Sequence, residues 1–342
     1  MKKILVIYTG GTIGMARQGS DGALVPVEFE KLYALIPELK ELPAEIHFQS
    51  WETPIDSTEM TPDHWVKLAH QIFENYAFYD GFVVLHGSDT MAFTASALSF
   101  MLCHLNKPVI LTGSQLPINI IRTDGKENLL TSIEIAMFSD ENGEPLVREV
   151  CIYFEYKLYR GNRTYKHSSE SFKAYKSPNY PLLGEAGLEI KIYRQNLLPS
   201  SDAPVHLFTD YESNILNISL FPGINFQWMR SALENAHHLK ALILLTYGAG
   251  NAPKNPELKS LLKMMNDRKI PVINISQCKA GSVAMGKYEV SHWLLDHDVI
   301  SGYDMTREAA ITKTMCTLPL AKDLTEFKRL FQTPLAGEIT LN

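Results

Sequence analysis

Cysteine is scarce in this chain, and the few cysteines are far apart. Four occur among 342 residues, at positions 103, 151, 278 and 316. No two of them have the short spacing of a metal-binding or redox motif. Each lies in or beside an apolar segment, where a reduced thiol packs as a small hydrophobic group. We therefore expect no disulfide framework, no metal site and no cofactor.

The chain also lacks a long hydrophobic run and an excess of positive charge. After Met1-Lys2-Lys3, only five apolar residues precede a Thr-Gly-Gly turn, which is too short for the hydrophobic region of a signal peptide. No segment approaches membrane-spanning length. The formal net charge of −6 does not favour nucleic acid or an anionic membrane surface. We expect a cytoplasmic protein that binds a small molecule, with no nucleic-acid or membrane partner.

What the sequence does have is an alternation of short apolar runs with helix-like segments. The runs end at turn signals and occupy Ile4–Tyr8, Phe82–Leu85, Val109–Leu111, Val150–Phe154, Leu242–Leu245 and Val272–Ile275. Such alternation is typical of a mainly parallel sheet, and the length exceeds that of one average domain. We predict two α/β domains: a larger N-terminal domain with a mainly parallel sheet flanked by helices, and a smaller C-terminal domain with a parallel sheet.

A segment rich in turn formers marks the predicted domain boundary. Pro199–Pro204 interrupts the periodic pattern and has the composition of a linker. We predict an N-terminal domain at 1–195 that carries the catalytic residues, a linker at 196–213 and a C-terminal domain at 214–342.

Two helices of the N-terminal domain can be placed from their patterns. One begins at Thr61-Pro62-Asp63, where Thr61 caps the helix, and its apolar stripe consists of Trp65, Leu68, Ala69 and Ile72. The second is predicted from about Met91 to Leu105. Its sheet-facing side is predicted to carry Ala92, Ala95, Leu98, Ser99 and Leu102.

The first strand ends in a glycine-rich turn, Thr9-Gly10-Gly11-Thr12-Ile13-Gly14. Such a turn exposes backbone N–H groups and one hydroxyl where α/β folds bind ligands, so Thr12 is a candidate nucleophile. A tight structural turn is the alternative. The glycine spacing does not match a dinucleotide site, and no Gly-Lys-Ser/Thr follows for a phosphate site.

Polar residues follow several other predicted strands as well. They are His86-Gly87-Ser88-Asp89-Thr90, Thr112-Gly113-Ser114-Gln115, Thr246-Tyr247 and Ser276-Gln277. Hydroxyl groups gathered at the carboxyl ends of parallel strands, together with a carboxylate, predict a pocket for a small polar substrate. The alternative for each strand end is a helix cap. His86 is expected to be a structural histidine rather than a base.

Two of these segments have a known pattern. Val6–Gly14 and Gly81–Met91 closely resemble the two signatures of the L-asparaginase family. The similarity to its cytoplasmic, type I bacterial group covers most of the chain and extends through Asp56–Pro62, Thr112–Gln115, Leu158–Lys166 and Tyr247–Pro253.

The resemblance implies hydrolysis of L-asparagine to L-aspartate and ammonia, with weaker activity on L-glutamine. Thr12 matches the nucleophile that forms the acyl-enzyme. Ser88, Asp89 and Lys166 match a second catalytic cluster, in which a desolvated lysine holds or relays a proton through the hydroxyl. Backbone N–H groups near Gly11 and Ser88 are the expected oxyanion donors.

The resemblance also implies how substrate binds and how subunits assemble. The matching substrate-binding residues are Asp56, Ser57, Thr58 and Ser114. Asn251 matches a residue that a neighbouring subunit contributes to the pocket, so the C-terminal domain is expected to take part in an intersubunit site. The resemblance therefore implies a homodimer or a homotetramer.

The chain departs from the family pattern at two places. Ser88 stands where the second signature has threonine. The segment Met15–Val27 contains no tyrosine, although the family carries one there as the proton-transfer partner of the first threonine. Met15–Leu24 itself is predicted to be a mobile lid, because it is polar and glycine-containing. Two alternatives therefore stay open: an amino-acid sensor with little or no catalysis, and an asparaginase-like subunit of a tRNA-dependent amidotransferase.

Overall fold

The computed structural model describes residues 1–17, 24–26, 35–286 and 289–341. The chain divides into two compact units, Met1–Phe208 and Thr209–Asn342. This division falls within the segment 196–213 that was predicted to be a linker. The roles assigned to the two predicted domains stay predictions.

The first unit combines a large sheet with three described helices. Its strands are β1 Lys2–Gly10, β2 Met15–Arg17, β3 Leu24–Pro26, β4 Ala44–Ile55, β5 Gly81–Leu85, β6 Leu102–Cys103, β7 Val109–Thr112, β8 Val150–Phe154, β9 Lys157–Arg160, β10 Tyr165–Lys166, β11 Tyr175–Lys176, β12 Gly184–Ala186, β13 Ile190–Ile192 and β14 His206–Leu207. Its described α-helices are α1 Pro62–Asn75, α2 Met91–Met101 and α3 Gly125–Met137.

Eight strands form one mixed sheet in the order β13-β12-β9-β8-β7-β5-β1-β4. The strands from β8 through β4 in this order are parallel to their neighbours, whereas β9, β12 and β13 continue the sheet antiparallel. The prediction of a mainly parallel sheet is confirmed. Because β1, β5 and β7 run in the same direction, the segments that follow them lie at one edge.

The central strand β1 is buried on both faces. Ile4, Val6 and Tyr8 pack in a core that includes Leu129 and Ile133 of α3. Alternate strand residues point to opposite faces, so the equally buried Leu5 and Ile7 face the other side. This explains why the strand is a continuous apolar run rather than an alternating one.

One helix prediction is confirmed, and the other needs correction. Helix α1 begins at Pro62 after Thr61 and buries the predicted stripe. Helix α2 ends at Met101, four residues before the predicted Leu105, because Leu102–Cys103 is extended and pairs with His206–Leu207. The left-handed His104, with φ 60°, prevents further helix there. Ten of the eleven residues of α2 are buried, so this helix is enclosed on all sides rather than buried on one face.

The second unit is a smaller α/β layer structure. Its four parallel strands lie in the order β15 Ile215–Ser219, β16 Ala241–Thr246, β17 Val272–Ser276 and β18 Ile300–Ser301. Its described α-helices are α4 Phe226–Glu234, α5 Pro256–Asp267, α6 Glu289–His292, α7 Arg307–Thr317 and α8 Leu324–Gln332. Leu242 and Leu244 pack against α4 and α5, and Ile243 packs against α7 and α8. The predicted C-terminal α/β layer is confirmed.

The structure bears on membrane-spanning helices and on the burial of the cysteines. Within the described ranges, no helix is both long enough and apolar enough to cross a membrane. Cys151 and Cys316 are buried as expected, but Cys278 is exposed. The expectation for Cys278 was wrong because the residue lies beyond the end of β17, outside the apolar run.

Candidate active site

Two threonine hydroxyls lie at the end of β1 and in the turn after it, those of Thr9 and Thr12. Gly11, with φ 89°, turns the chain into a single 3-10 turn at Thr12–Gly14. Thr9 is buried, and its Oγ1 donates to the carbonyl of Leu85 at 3.1 Å. Thr12 is half-buried, and its Oγ1 has no hydrogen-bond partner among the described residues. Of the two hydroxyls, that of Thr9 is therefore engaged by the neighbouring strand.

Three loops meet in close contact at this edge of the sheet, those of Gly11, Gly87 and Ser57. A Cβ on Gly11 would lie only 2.5 Å from the Cα and N of Gly87. A Cβ on Gly87 would lie 2.6 Å from Oγ of Ser57. Thr90 adds a hydrogen bond from its Oγ1 to the carbonyl of Ser57, at 2.6 Å. The glycines are required here because any side chain would separate the Thr12 loop from the Ser88 loop.

Lys166 contacts Ser88 and Asp89 in the loop that follows β5, which is the second loop of the site. Its Nζ donates to Oγ of Ser88 at 2.9 Å and to Oδ1 of Asp89 at 2.6 Å. The Lys166 side chain is 17% exposed, while that of Asp89 is 57% exposed. The ion pair is thus shielded at the amine and open to solvent at the carboxylate.

Tyr175 contacts the same serine from its backbone side. Its hydroxyl donates to the carbonyl of Ser88. Burial raises the pKa of Tyr175 well above its usual value, and the nearby charge of Asp89 raises it further. Tyr175 is not among the site residues predicted from the sequence. In the sequence it is an isolated tyrosine a few residues after Lys166, with no motif around it.

The Asp56–Thr58 segment forms a self-stabilised turn. Oδ1 of Asp56 accepts from the Thr58 backbone N–H at 2.8 Å and from its Oγ1 at 2.7 Å. The backbone hydrogen bond, followed by the hydroxyl, lowers the pKa of Asp56. Ser57 is buried against Gly87, whereas Asp56 and Thr58 are exposed. The turn therefore presents an anion and a hydroxyl to solvent beside the second loop.

His86 is committed to structural hydrogen bonds. Its Nδ1 lies 2.7 Å from the carbonyl of Gly87, which can only accept, so Nδ1 carries the proton. Nε2 then accepts from Oγ1 of Thr94 at 2.9 Å, and the indole N–H of Trp65 donates to the same oxygen at 3.1 Å. Burial lowers the pKa of His86 to about 4. The ring is therefore neutral at pH 7 and supports the second loop.

Ser114 lies in the loop that follows β7, and hydrogen bonds within this loop hold it in place. It is buried, and its Oγ donates to the carbonyl of Leu116 at 2.6 Å. The carboxylate of Asp124 accepts from the backbone N–H groups of Gln115 and Leu116. A Cβ on Gly113 would lie 2.4 Å from the carbonyl oxygen of His86. The loop of Ser114 thus packs beside that of His86.

Asn251 lies in the second unit, in a tight turn after β16. Its backbone bonds to Tyr247 in both directions, at 2.7 and 2.9 Å. Its Oδ1 is buried without a hydrogen-bond partner among the residues that the structure describes. An unsatisfied buried acceptor is costly in a folded protein, so this atom calls for a donor.

The sequence matches known protein families in both of its units. Residues 3–198 match the family described as asparaginase, N-terminal, and residues 214–331 match the glutaminase/asparaginase C-terminal domain. The chain belongs to the asparaginase family.

Individual members of the asparaginase family align over nearly the whole chain. L-asparaginase 1 of Escherichia coli (strain K12) is 41% identical, covering 99% of this chain and 98% of its own length. The crystal structure of L-asparaginase I from Vibrio cholerae superposes with a TM-score of 0.88 at 42% identity, covering 99% of each chain. The thermostable L-asparaginase from Thermococcus kodakarensis has a TM-score of 0.89 at 32% identity, covering 99% and 100%. The resemblance inferred from the motifs is confirmed.

The structure of this asparaginase-family chain brings together most of the residues proposed from the sequence. Ser88, Asp89 and Lys166 are in contact, and the loops of Thr12 and Ser57 pack against that of Ser88. Residues 18–23 of the predicted lid, Met15–Leu24, lie outside the described residues. Its flanks, β2 and β3, pair antiparallel.

Proposed function

We propose that this chain hydrolyses L-asparagine to L-aspartate and ammonia through an acyl-enzyme on Thr12. The observation that carries the proposal is the contact of Lys166 with both Ser88 and Asp89, in a loop packed against that of Thr12. Membership of the asparaginase family supports the same reaction. A cytoplasmic location and weaker activity on L-glutamine are part of the proposal.

The first half-reaction is attack by Oγ1 of Thr12 on the side-chain carboxamide carbon. A threonine hydroxyl is too weakly acidic to attack without help. Its proton passes to Oγ of Ser88 as Ser88 gives its own proton to Lys166, and Lys166 at the same time gives one of its protons to Asp89. Backbone N–H groups near Gly11 and Ser88 donate to the oxyanion. The C–N bond then breaks, and the leaving nitrogen takes a proton and departs as ammonia.

Hydrolysis of the ester completes the cycle. Water, oriented by Ser88 and Lys166, attacks the acyl carbon. One of its protons passes through Ser88 to Oγ1 of Thr12 as the C–O bond breaks, and the other is released to solvent when the new carboxyl group of the product ionises. Asp89 balances the charge of Lys166 and faces solvent, where it can also bind the α-ammonium group. Asp56, Ser57, Thr58 and Ser114 are proposed to hold the remaining polar groups of the substrate.

The pocket is proposed to be completed by Asn251 of a neighbouring subunit in a homodimer or homotetramer. Asn251 as a whole is only half-buried in its own unit, so part of the residue is open to a neighbouring copy. An amide oxygen is suited to accept from an ammonium group or from the backbone of another copy.

The test is a coupled ammonia assay with L-asparagine, D-asparagine and L-glutamine on the wild type and on Thr12→Ala. We expect turnover of L-asparagine, and a fall in kcat of roughly 10⁴-fold or more in the variant, because the covalent step is lost. Mass spectrometry of acid-quenched enzyme should place the acyl group on Thr12. Wild-type turnover by Thr12→Ala would exclude this nucleophile. Asparagine binding without ammonia release by the wild type would favour a sensor.

A further inference from the structure

A short ribbon outside both signature motifs delivers two side chains to one serine. Strands β10 and β11 pair antiparallel, with Lys166 directly opposite Tyr175. Residues opposite each other in such a ladder project from the same face. Both side chains end on Ser88, Lys166 at the side-chain oxygen and Tyr175 at the backbone carbonyl.

The ring of Tyr175 is held firmly behind this contact. The residue is 2% exposed. Phe154 meets its ring edge to face at a centroid distance of 5.1 Å, and the hydroxyl of Tyr159 donates to its carbonyl at 3.2 Å. Since burial and Asp89 both raise the pKa of Tyr175, the hydroxyl keeps its proton and remains a donor.

We propose that Tyr175 is a positioning residue for amide hydrolysis: its hydroxyl holds the Ser88 backbone so that Oγ of Ser88 stays within reach of Lys166. This inference rests on the proposed function and adds a residue to it. Strands β10 and β11 carry both contacting residues. The distance between the amine of Lys166 and the hydroxyl of Ser88 therefore depends on this one pair of strands. Tyr175 acts through Ser88 and has no role in binding substrate.

The loop of Ser88 gives this hydrogen bond a wider effect. Gly87 contacts Gly11 through the backbone, so a shift of the Ser88 loop would also move the turn that carries Thr12. Catalytic groups displaced by a fraction of an ångström lose much of their rate advantage, whereas binding of the distant parts of a substrate changes little. The effect of losing the hydroxyl should therefore fall on kcat.

The test is Tyr175→Phe, which removes one oxygen and keeps the ring. We expect kcat for L-asparagine to fall roughly tenfold, with KM within about twofold of wild type, because only the chemical step depends on the Ser88–Lys166 geometry. The matched control is Tyr180→Phe. Tyr180 also donates its hydroxyl to a backbone carbonyl, that of Asn196, at 3.0 Å.

Each outcome of this comparison is informative. Both variants lose one hydrogen bond to a carbonyl, and Tyr180→Phe also loses a hydrogen bond with Arg160. The fall in melting temperature should therefore be at least as large in the control, with the loss of kcat confined to Tyr175→Phe. A kcat of Tyr175→Phe within twofold of the control, or a change in KM alone, would overturn the inference while leaving an active wild type intact. A wild type that releases no ammonia would instead overturn the proposed function.

Discussion

Among the charged and titratable residues of the site, burial separates those that support it from those that can react. His86 is fully enclosed and uses both ring nitrogens in fixed hydrogen bonds, so it has no free atom for proton transfer. Lys166 keeps 17% of its side chain exposed and donates to Ser88 and Asp89, the two groups proposed to exchange protons with it. The structure agrees with the interpretation of His86 as a structural residue.

His86 should make the stability of the fold depend on pH. Its folded pKa of about 4 lies below the ordinary value of 6.5, so the unfolded chain binds more protons between these values. Stability is therefore fully present above pH 6.5 and is lost as the pH falls towards 4. From pH 7 to pH 5 we expect a loss of about 2 kcal/mol from this group.

The check is urea unfolding of the wild type and His86→Gln at both pH values. The variant starts from lower stability, but its loss between pH 7 and pH 5 should be smaller than that of the wild type. Parallel losses in the two proteins would contradict the assignment of this pH dependence to His86.

At the scale of helices and strands, buried ion pairs attach loop segments to strands and helices. In the first unit, Glu149 pairs with Arg160 at 2.6 Å and accepts from the N–H of Leu198, while Arg160 donates to the carbonyl of Asn196. These bonds attach the start of the predicted linker to the first unit. In the second unit, Lys313 of α7 pairs with Glu338, and both side chains are fully buried.

The pair in the second unit holds the C-terminal segment. Glu338 also accepts from the N–H groups of Leu335 and Ala336, and Lys313 donates to the carbonyl of Thr333 at 2.7 Å. We expect Lys313→Met to lower the free energy of unfolding by about 3–5 kcal/mol, because it leaves a buried carboxylate without its counter-ion.

The measurement is thermal or urea denaturation, with Lys263→Met as the matched control. Lys263 pairs with Asp267 at 2.8 Å, but the two side chains are 70% and 65% exposed, so about 1 kcal/mol or less should be lost. Equal effects of the two substitutions would contradict the structural importance of the buried pair.

For the whole molecule, the question is whether one chain contains a complete site. Thr12 and the Ser88 cluster lie in the first unit, whereas Asn251 lies in the second. If Asn251 serves a neighbouring subunit, as proposed, a hybrid of Thr12→Ala and Asn251→Ala subunits contains one site in which both residues are wild type.

Co-expression of the two variants with different tags, followed by purification over both tags, isolates this hybrid. For a dimer we expect about half of wild-type activity, because one of its two sites is intact, although each variant alone is nearly inactive. Light scattering gives the assembly size. A hybrid no more active than the mean of its parents would show that Asn251 does not act across subunits.

The sequence by itself determined the fold class and the polar residues at the strand ends. Continuous apolar runs such as Val150–Phe154 can only be satisfied in a sheet covered on both faces, and the glycines at 11 and 87 allow two loops to touch. These are local properties that composition and spacing record directly. The end of α2 was misplaced because a distant strand, His206–Leu207, captures Leu102–Cys103.

Only the tertiary structure decided which groups meet. Lys166 and Ser88 are 78 residues apart, and Tyr175 and Ser88 are 87 residues apart, so no local pattern relates them. The exposure of Cys278 was hidden for a similar reason, because it depends on what packs around the residue in space. Hydrogen bonds and burial depend on distances in space, which the chain acquires only when its strands have paired.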